Sequence, residues 1–321
     1  MRVVVTGGAG FIGGQFAREI LDNQMLSNRD GSAAEISELV IFDQVEGPKI
    51  DDPRVRIEVG EMTDRGALER TLKGADSVFH FASVVSGGAE ADFQLGLDVN
   101  LDGTRTILDI LKAAGNFPKL VFASSLAVYS NGAEPVYDET TPTPMSSYGV
   151  QKYCCEVLIG DYARRGYVDG RSMRFPTIAV RPGKANLANS SFISNIIREP
   201  VAGRETVCPV PPDTEICLMS PGRLMKAIAR YHNLSGDEIG WPRAIMLPAV
   251  KVSVAEMLDA LEAQAGPEYR SRVSFETDEK ILPMVKSWPV DIVARRAEAL
   301  GIHTDANASE IVADYLSRHP V

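Results

Sequence analysis

The chain begins with an apolar run, Arg2-Val3-Val4-Val5, that leads without a break into Thr6-Gly7-Gly8-Ala9-Gly10-Phe11-Ile12-Gly13. Such a run reads as a strand covered on both faces, and the residues after it as the opening of a helix. Gly7, Gly10 and Gly13 then have distinct physical uses: a tight turn, close approach of backbone to a pyrophosphate, and packing of the helix on the strand. Phe11 and Ile12 begin the helix, so its N–H groups and positive dipole end face the phosphates. Strand, glycine turn and helix in this order predict a Rossmann-type α/β fold, a doubly wound parallel sheet that holds a dinucleotide.

The first half of the chain keeps that alternation. Strands are predicted at 2–6, 38–43, 55–59, 77–82 and 119–124, with helices at 11–22, 65–73 and 97–115 between them. This is the pattern of parallel strands joined by crossover helices. In the helix over 97–115, Val99, Ile107, Leu108 and Leu111 form an apolar stripe at helical spacing. A proline- and threonine-rich loop over 131–147 ends in Ser146-Ser147, a cap for the helix that carries Tyr148 to Arg164. A strand over 172–180 follows.

After Arg181-Pro182-Gly183, the prolines at 200, 209, 211, 212 and 221 break the pattern into short pieces. These pieces read as a smaller, irregular, mixed domain that supplies a substrate pocket. A helix at 223–233 and a strand at 243–250 return to the first domain, before helices at 253–265, 290–300 and 308–317. The expected division is 1–176 plus 224–251 for the dinucleotide domain and 177–223 plus 252–321 for the substrate domain.

A net charge of -10 argues against nucleic acid or an anionic membrane as partner, since either favours a basic face. No run of roughly 18 apolar residues is present, so no membrane span is expected. A first strand at residue 2 leaves no room for a signal peptide, and a cytoplasmic location is expected. The cysteines Cys154, Cys155, Cys208 and Cys217 lack Cys-x-x-Cys spacing and read as free thiols in a reducing compartment. The four scattered histidines give no metal-ligand spacing, so no metal is expected.

Asp43 ends the second strand, where a carboxylate accepts hydrogen bonds from the adenosine ribose and repels a 2′-phosphate. The cofactor is therefore expected to be NAD rather than NADP. Asp43 lies 30 residues past Gly13, against about 20 in the usual spacing, and the polar stretch Asn23–Ser37 reads as the loop insertion responsible.

The chemistry is expected at Tyr148 and Lys152, four apart and hence on one helix face. A phenol is a poor base at neutral pH unless its anion is stabilised, which a neighbouring ammonium does. Lys152 also has the reach to hydrogen-bond the nicotinamide ribose. Ser125 closes the strand Lys119–Ser124 at the sheet edge where ligands bind, and its hydroxyl orients a substrate oxygen.

Together the glycine turn, the Ala123-Ser124-Ser125 strand end and Tyr-x-x-x-Lys resemble the extended short-chain dehydrogenase/reductase family, over essentially the whole chain. The resemblance implies NAD-dependent oxidation of a secondary alcohol, with Ser125, Tyr148 and Lys152 catalytic. It also implies that Glu61 and Met62 contact adenine, that Ala82 and Ser83 line the cofactor, that Asn100 sits behind the site, and that Pro176 touches nicotinamide. Homodimerisation through helices 97–115 and 148–165 is implied as well.

Three stretches, Val84–Phe93, Arg181–Asn186 and Ile197–Pro200, resemble a subgroup that oxidises a small sugar acid to its 2-keto acid. Sugar-nucleotide epimerases and dehydratases on the same scaffold are the rival. Ser86 falls in the first of those stretches and is expected to touch substrate. Lys184 and Arg223 either pair with a substrate carboxylate or are solvated charges. Ile216-Cys217-Leu218-Met219 departs from the subgroup, and reads either as the lining of a more apolar pocket or as core.

Overall fold

The computed structural model describes residues 1–23, 26–47, 49–130, 134–183 and 190–320. Its strands are β1 (Arg2–Thr6), β2 (Glu38–Asp43), β3 (Val55–Val59), β4 (Ser77–His80), β5 (Lys119–Ser125), β6 (Asp169–Phe175), β7 (Thr177–Ile178), β8 (Glu215–Met219), β9 (Ala244–Met246) and β10 (Val250–Ser253), the first three rich in the β-branched residues that favour strands. The helices that matter below are α1 (Phe11–Asn23), α2 (Arg65–Leu72), α3 (Ser86–Ala91), α4 (Phe93–Gly96), α5 (Gly103–Ala114), α6 (Ser147–Arg164), α7 (Ser191–Val201), α8 (Pro221–Asn233), α9 (Val254–Ala265) and α10 (Ala308–Arg318).

Two compact units result: residues 1–128, 146–174 and 225–245 in one, and 129–145, 175–224 and 246–321 in the other. The first is built on a seven-stranded sheet in the order β9-β6-β5-β4-β1-β2-β3. β1 runs parallel to β2 and β4, β2 to β3, and β4 to β5. The strand order reverses at β1, and at such a switch point the loops leaving neighbouring strands part to form a crevice. Here those loops follow Thr6 and His80, which face each other in register.

Both sheet faces are covered, as the apolar runs require. On one, Val4, Val40, Phe42, Val78, Leu120 and Phe122 pack with Leu68 of α2, Ile107, Leu108 and Leu111 of α5, and Cys155 and Ile159 of α6. Three members of the expected stripe, Ile107, Leu108 and Leu111, are thus buried, while Val99 lies on the turn before α5 and is partly buried against the same cluster. On the other face Phe16 of α1 stacks on Phe79 at 4.5 Å, and Phe79 on His232 of α8 at 5.1 Å.

The second unit has a three-stranded sheet, β10-β8-β7, in which β8 pairs antiparallel with β10 and parallel with β7. Its core joins Ile193, Ile196 and Ile197 of α7, Ile216 and Leu218 of β8, Met257, Leu258 and Leu261 of α9, and Ile311 and Val312 of α10.

Several expectations change. The strand expected over 172–180 divides at Pro176, since proline cannot donate to a ladder; β6 joins the large sheet and β7 the small one. The strand expected over 243–250 divides in the same way into β9 and β10. The helix expected over 290–300 is a two-residue strand, Ile292–Val293, followed by a short helix, Arg295–Ala299. That strand pairs with Val136–Tyr137, and Val136 N–H donates to the Asp291 carbonyl at 2.9 Å, which draws 129–145 into the second unit rather than the first.

The region read as irregular contains α7, an amphipathic helix with Pro200 one residue from its end. The insertion before Asp43 is not a bare loop either. Leu26, Ala34 and Ile36 are buried, Ala34 N–H donates to the Leu26 carbonyl at 2.9 Å, and Ser27 N–H donates to Asn233 Oδ1 at 2.8 Å.

Candidate active site

Gly7 turns the chain out of β1 with φ +69°, a left-handed conformation that favours glycine. A Cβ there would stand 2.6 Å from the Ala82 nitrogen, and one on Gly13 would stand 2.3 Å from the Gly7 carbonyl oxygen. Both positions are closed because the turn, the loop after β4 and the start of α1 pack directly on one another. Gly10 differs. It is exposed, and its Cβ would meet only the Gly7 oxygen, at 3.1 Å. Two glycines build the turn while the third keeps its outer surface low, which is the shape a pyrophosphate needs at a helix N-terminus. Asp43 Oδ2 accepts the Ala9 N–H at 3.1 Å, so the carboxylate expected at the ribose is fixed against the same turn. The residues present fit a dinucleotide.

α6 starts where Ser146 Oγ accepts the Gly149 N–H at 3.1 Å, and Ser147 N–H donates to Glu90 Oε1 at 2.6 Å. Tyr148 lies in this capped first turn and Lys152 one turn on, with Nζ 5.4 Å from the centre of the phenol ring. The same ammonium donates to the Ala123 carbonyl at 2.9 Å and lies 4.7 Å from the Phe122 ring. Lys152 is only 2% exposed, and that burial holds its pKa down to about 8, opposed by Cys155 and Glu156. Burial also pushes the Cys155 thiol up to about 11, so at neutral pH it carries no charge and the anion on this side of Lys152 is Glu156. Ser125 is half-buried at the end of β5, and its Oγ accepts the Ala127 N–H at 3.1 Å. That contact uses a lone pair and not the hydroxyl proton.

Behind the pair, residues Leu97–Asp102 form a π-helical turn, a feature often found at functional sites. It carries Asn100, whose Oδ1 accepts the Val84 N–H at 2.8 Å while Nδ2 donates to the Val84 carbonyl at 3.0 Å and to Gln151 Oε1 at 2.7 Å. A buried polar chain then runs back to the glycine turn. Thr104 Oγ1 donates to the Asn100 carbonyl at 2.6 Å, so its only proton is used and His80 Nε2, 2.9 Å away, must be the donor to it. His80 Nδ1 is then the acceptor for Thr6 Oγ1 at 2.7 Å, and Thr6 Oγ1 accepts the Ala82 N–H at 3.3 Å. The neutral Nε2–H tautomer of His80 is the one that satisfies every member. Burial, with Lys152 nearby, pushes its pKa down to about 3.

The structure therefore gathers Gly7, Gly13, Ala82, Asn100, Tyr148, Lys152 and the strand end at Ser125 around one crevice. Ser86 opens α3, in a stretch tied down by Asn100 at Val84 and by Ser147 at Glu90. Ser83 Oγ donates to the Val84 carbonyl at 3.1 Å. Glu61 is exposed, whereas the Met62 side chain turns into the core against Gly103. Pro176 is buried in the second unit between β6 and β7.

Arg223 is already committed: it pairs with Glu310 at 3.1 Å and Asp305 at 3.8 Å, so a substrate carboxylate would have to displace two of the protein's own. Lys184, with Ala185 and Asn186 of the stretch Arg181–Asn186, lies outside the described residues. Ile216 and Leu218 belong to the core, and Cys217 Sγ donates to the Pro289 carbonyl at 3.1 Å, so this segment offers no reason for an apolar pocket. Sequence reasoning passed over Glu90, Gln151, Glu156 and Arg174. Glu156 was open to detection, lying on the Tyr148/Lys152 face one further turn along.

Fold and site together define a dinucleotide-dependent enzyme in which Tyr148 and a buried Lys152 lie side by side. Residues 3–215 match the family described as "NAD dependent epimerase/dehydratase family". Among characterised proteins, the chain is 44% identical to the D-erythronate dehydrogenase of Cupriavidus necator over 98% of both chains, and 37% identical to that of Haemophilus influenzae over 98% of this chain and 99% of the other. The crystal structure of the nucleoside-diphosphate-sugar epimerase from Agrobacterium tumefaciens superposes with a TM-score of 0.91 at 32% identity, covering 99% of this chain and 94% of that one. The chain belongs to the NAD-dependent epimerase/dehydratase family, the extended branch of the short-chain dehydrogenases/reductases. It is an NAD-dependent oxidoreductase acting on CH–OH groups. Among the described residues no helix is long and apolar enough to cross a membrane.

Proposed function

We propose that the enzyme oxidises a small hydroxy acid, D-erythronate, to its 2-keto acid with reduction of NAD. The carrying observation is the buried Lys152 ammonium, 5.4 Å from the Tyr148 ring and anchored on the strand end that presents Ser125. In this reading Tyr148, as phenolate, takes the hydroxyl proton of the substrate. Ser125 donates its own hydroxyl proton to the substrate oxygen and fixes its orientation. Lys152 stabilises the phenolate and holds the nicotinamide ribose.

Gly7, Gly10, Phe11, Ile12 and Gly13 hold the pyrophosphate, Asp43 the adenosine ribose, and Ala82 and Ser83 the far end of the cofactor, on a loop that Asn100 ties down at Val84. NAD, when bound, supplies the hydride acceptor. The two full-length dehydrogenase relatives support the choice of substrate. Purified enzyme incubated with NAD and a panel of aldonates, hydrophobic hydroxy acids and nucleotide sugars provides the test. NADH accumulating in step with D-erythronate consumption is expected. Nucleotide-sugar interconversion at catalytic NAD, with no NADH from any acid, would overturn the reading.

The active form is a homodimer through the surface of residues 97–115 and 148–165. Val150 and Val157 lie seven apart on one face of α6, and are 45% and 58% exposed, as is Phe93 of α4 at 59%. Large apolar side chains grouped this way mark interaction surfaces. Val157→Asp is expected to convert a dimer into a monomer in light scattering after size exclusion, and a monomeric wild type would remove the proposal. The four free thiols, Cys154, Cys155, Cys208 and Cys217, suit a reducing compartment, and the cytoplasm is proposed.

A further inference from the structure

Beyond the Tyr148/Lys152 pair, α6 carries a third ionisable residue on the same face. Glu156 lies one turn past Lys152, and its side chain is 3% exposed. Such a carboxylate needs partners to stay charged. Arg174 of β6 supplies one side, with Nη2–Oε2 at 2.7 Å and Nε to both oxygens at 3.0 and 3.1 Å. On the other side Ser124 Oγ donates to Oε1 at 2.5 Å.

Ser124 sits between Ala123, whose carbonyl holds the Lys152 ammonium, and Ser125, which presents its hydroxyl at the crevice. Three consecutive residues of one strand end are thus tied, to Lys152, to Glu156 and to the site. We infer that Glu156 is a positioning residue: anchored by Arg174, it clamps Ser124, fixes the β5 end that carries Ser125, and places a compensating negative charge beside Lys152. This rests on the proposed roles of Tyr148, Ser125 and Lys152.

The other groups facing Lys152 supply no such anion. On its own helix Tyr148 is the reacting group and Cys155 a neutral thiol. From β4, His80 is neutral. Of the π-turn carboxylates, Asp98 is taken by Gln94 and Asp102 by Arg105 at the surface. Glu90 serves the N-terminus of α6. Arg174, the remaining charge, is a cation neutralised by Glu156 itself.

Two variants separate clamping from charge. Ser124→Ala removes one hydroxyl and leaves the ion pair intact. It is expected to lower kcat for D-erythronate about tenfold, the scale of a small misplacement of reacting groups, with the Kd for NAD changed less than about twofold. Glu156→Gln keeps the shape and removes the charge. The Lys152 ammonium should then titrate about one pH unit lower, a tenfold shift in its ammonium-to-amine ratio, with the alkaline limb of kcat moving with it.

Lys152 is read directly by NMR of isotope-labelled lysine, with Lys152→Met assigning the signal, so this readout stands even if D-erythronate proves not to be the substrate. General loosening of the site would raise the Lys152 titration towards that of a solvated lysine in both variants, and only loss of a neighbouring charge lowers it. An unchanged or raised Lys152 titration in folded Glu156→Gln, or an unchanged kcat in Ser124→Ala, overturns the inference. If Glu156→Gln does not fold, Ser124→Ala decides: a kcat lowered about tenfold with the Lys152 titration and the Kd for NAD unchanged supports the clamp, and an unchanged kcat or a raised titration overturns it.

Discussion

Replacing Tyr148 by phenylalanine is expected to reduce kcat about 10³-fold while leaving the affinity for NAD within about twofold, in the range that positioned proton transfer contributes. In the proposed mechanism a phenol of reference pKa about 10 acts as a base near neutrality, and three units of depression need roughly 4 kcal/mol of preferential stabilisation of the anion. With an effective dielectric of about 20, a full positive charge at the Nζ-to-ring separation supplies on the order of 3 kcal/mol. Lys152 thus covers most of the requirement, provided it stays protonated, which its surroundings make a near thing: burial holds it at about 8.

The ring of Tyr148 contributes little that phenylalanine would lose apart from the hydroxyl, so the fold and the glycine turn should be undisturbed. Single-turnover kinetics and fluorescence quenching by NADH measure the two quantities separately. Equal kcat in the phenylalanine variant would end the proton-transfer account, whereas loss of NAD binding with it would show that Tyr148 holds the cofactor rather than the proton.

Much of this arrangement was legible from residues alone because the informative features are local. A valine run, three glycines at fixed spacing and a Tyr/Lys pair one turn apart each follow from short-range geometry, and the strands around them fell within a residue or two of the observed bounds. What escaped depends on contacts distant in sequence. Pro176 and Pro248 mark where the strands break, but nothing near Thr177 or Val250 tells that the short strands after them flank β8, a choice that rests on the core of α7, α9 and α10.

Pro200 was misleading for a related reason. It removes a bond from the ladder only at the penultimate residue, where the helix is already ending, and only the burial of Ile193, Ile196 and Ile197 reveals the helix before it. Within the site, Glu156 and Arg174 are ordinary charged residues until β6 is placed beside β5. Arg223 shows the reverse failure: an arginine in a suggestive place proves to be occupied by Glu310 and Asp305.

The strongest dependence on conditions should be acid destabilisation between pH 7 and 5, a window above the range where ordinary carboxylates titrate. His80 and His232 are both 0% exposed, and burial pushes each pKa from an ordinary 6.5 down to about 3. His232 is fixed in its neutral form much as His80 is. Asn233 Oδ1 already accepts the Ser27 N–H, so it accepts from His232 Nδ1 at 2.9 Å, which leaves Nε2 to accept from Ser77 Oγ at 2.8 Å. Because the folded pKa lies below the unfolded one, the unfolded chain binds more protons throughout this window. Stability is therefore full above about pH 6.5 and is lost as pH falls.

Integrating that difference from pH 7 to 5 gives about 2 kcal/mol per histidine and about 4 kcal/mol for both, a large share of the 5–15 kcal/mol typical of a folded domain. Urea unfolding, followed through Trp241 with Trp288 replaced by phenylalanine, would report on the unit that contains both histidines. His232→Gln should halve the slope of stability against pH even if its absolute stability is lower, because the slope counts only protons taken up on unfolding. A wild-type slope near zero between pH 6 and 5 would mean that both imidazoles are protonated in the folded protein, and the directional chain from Thr6 to Asn100 would have to be redrawn.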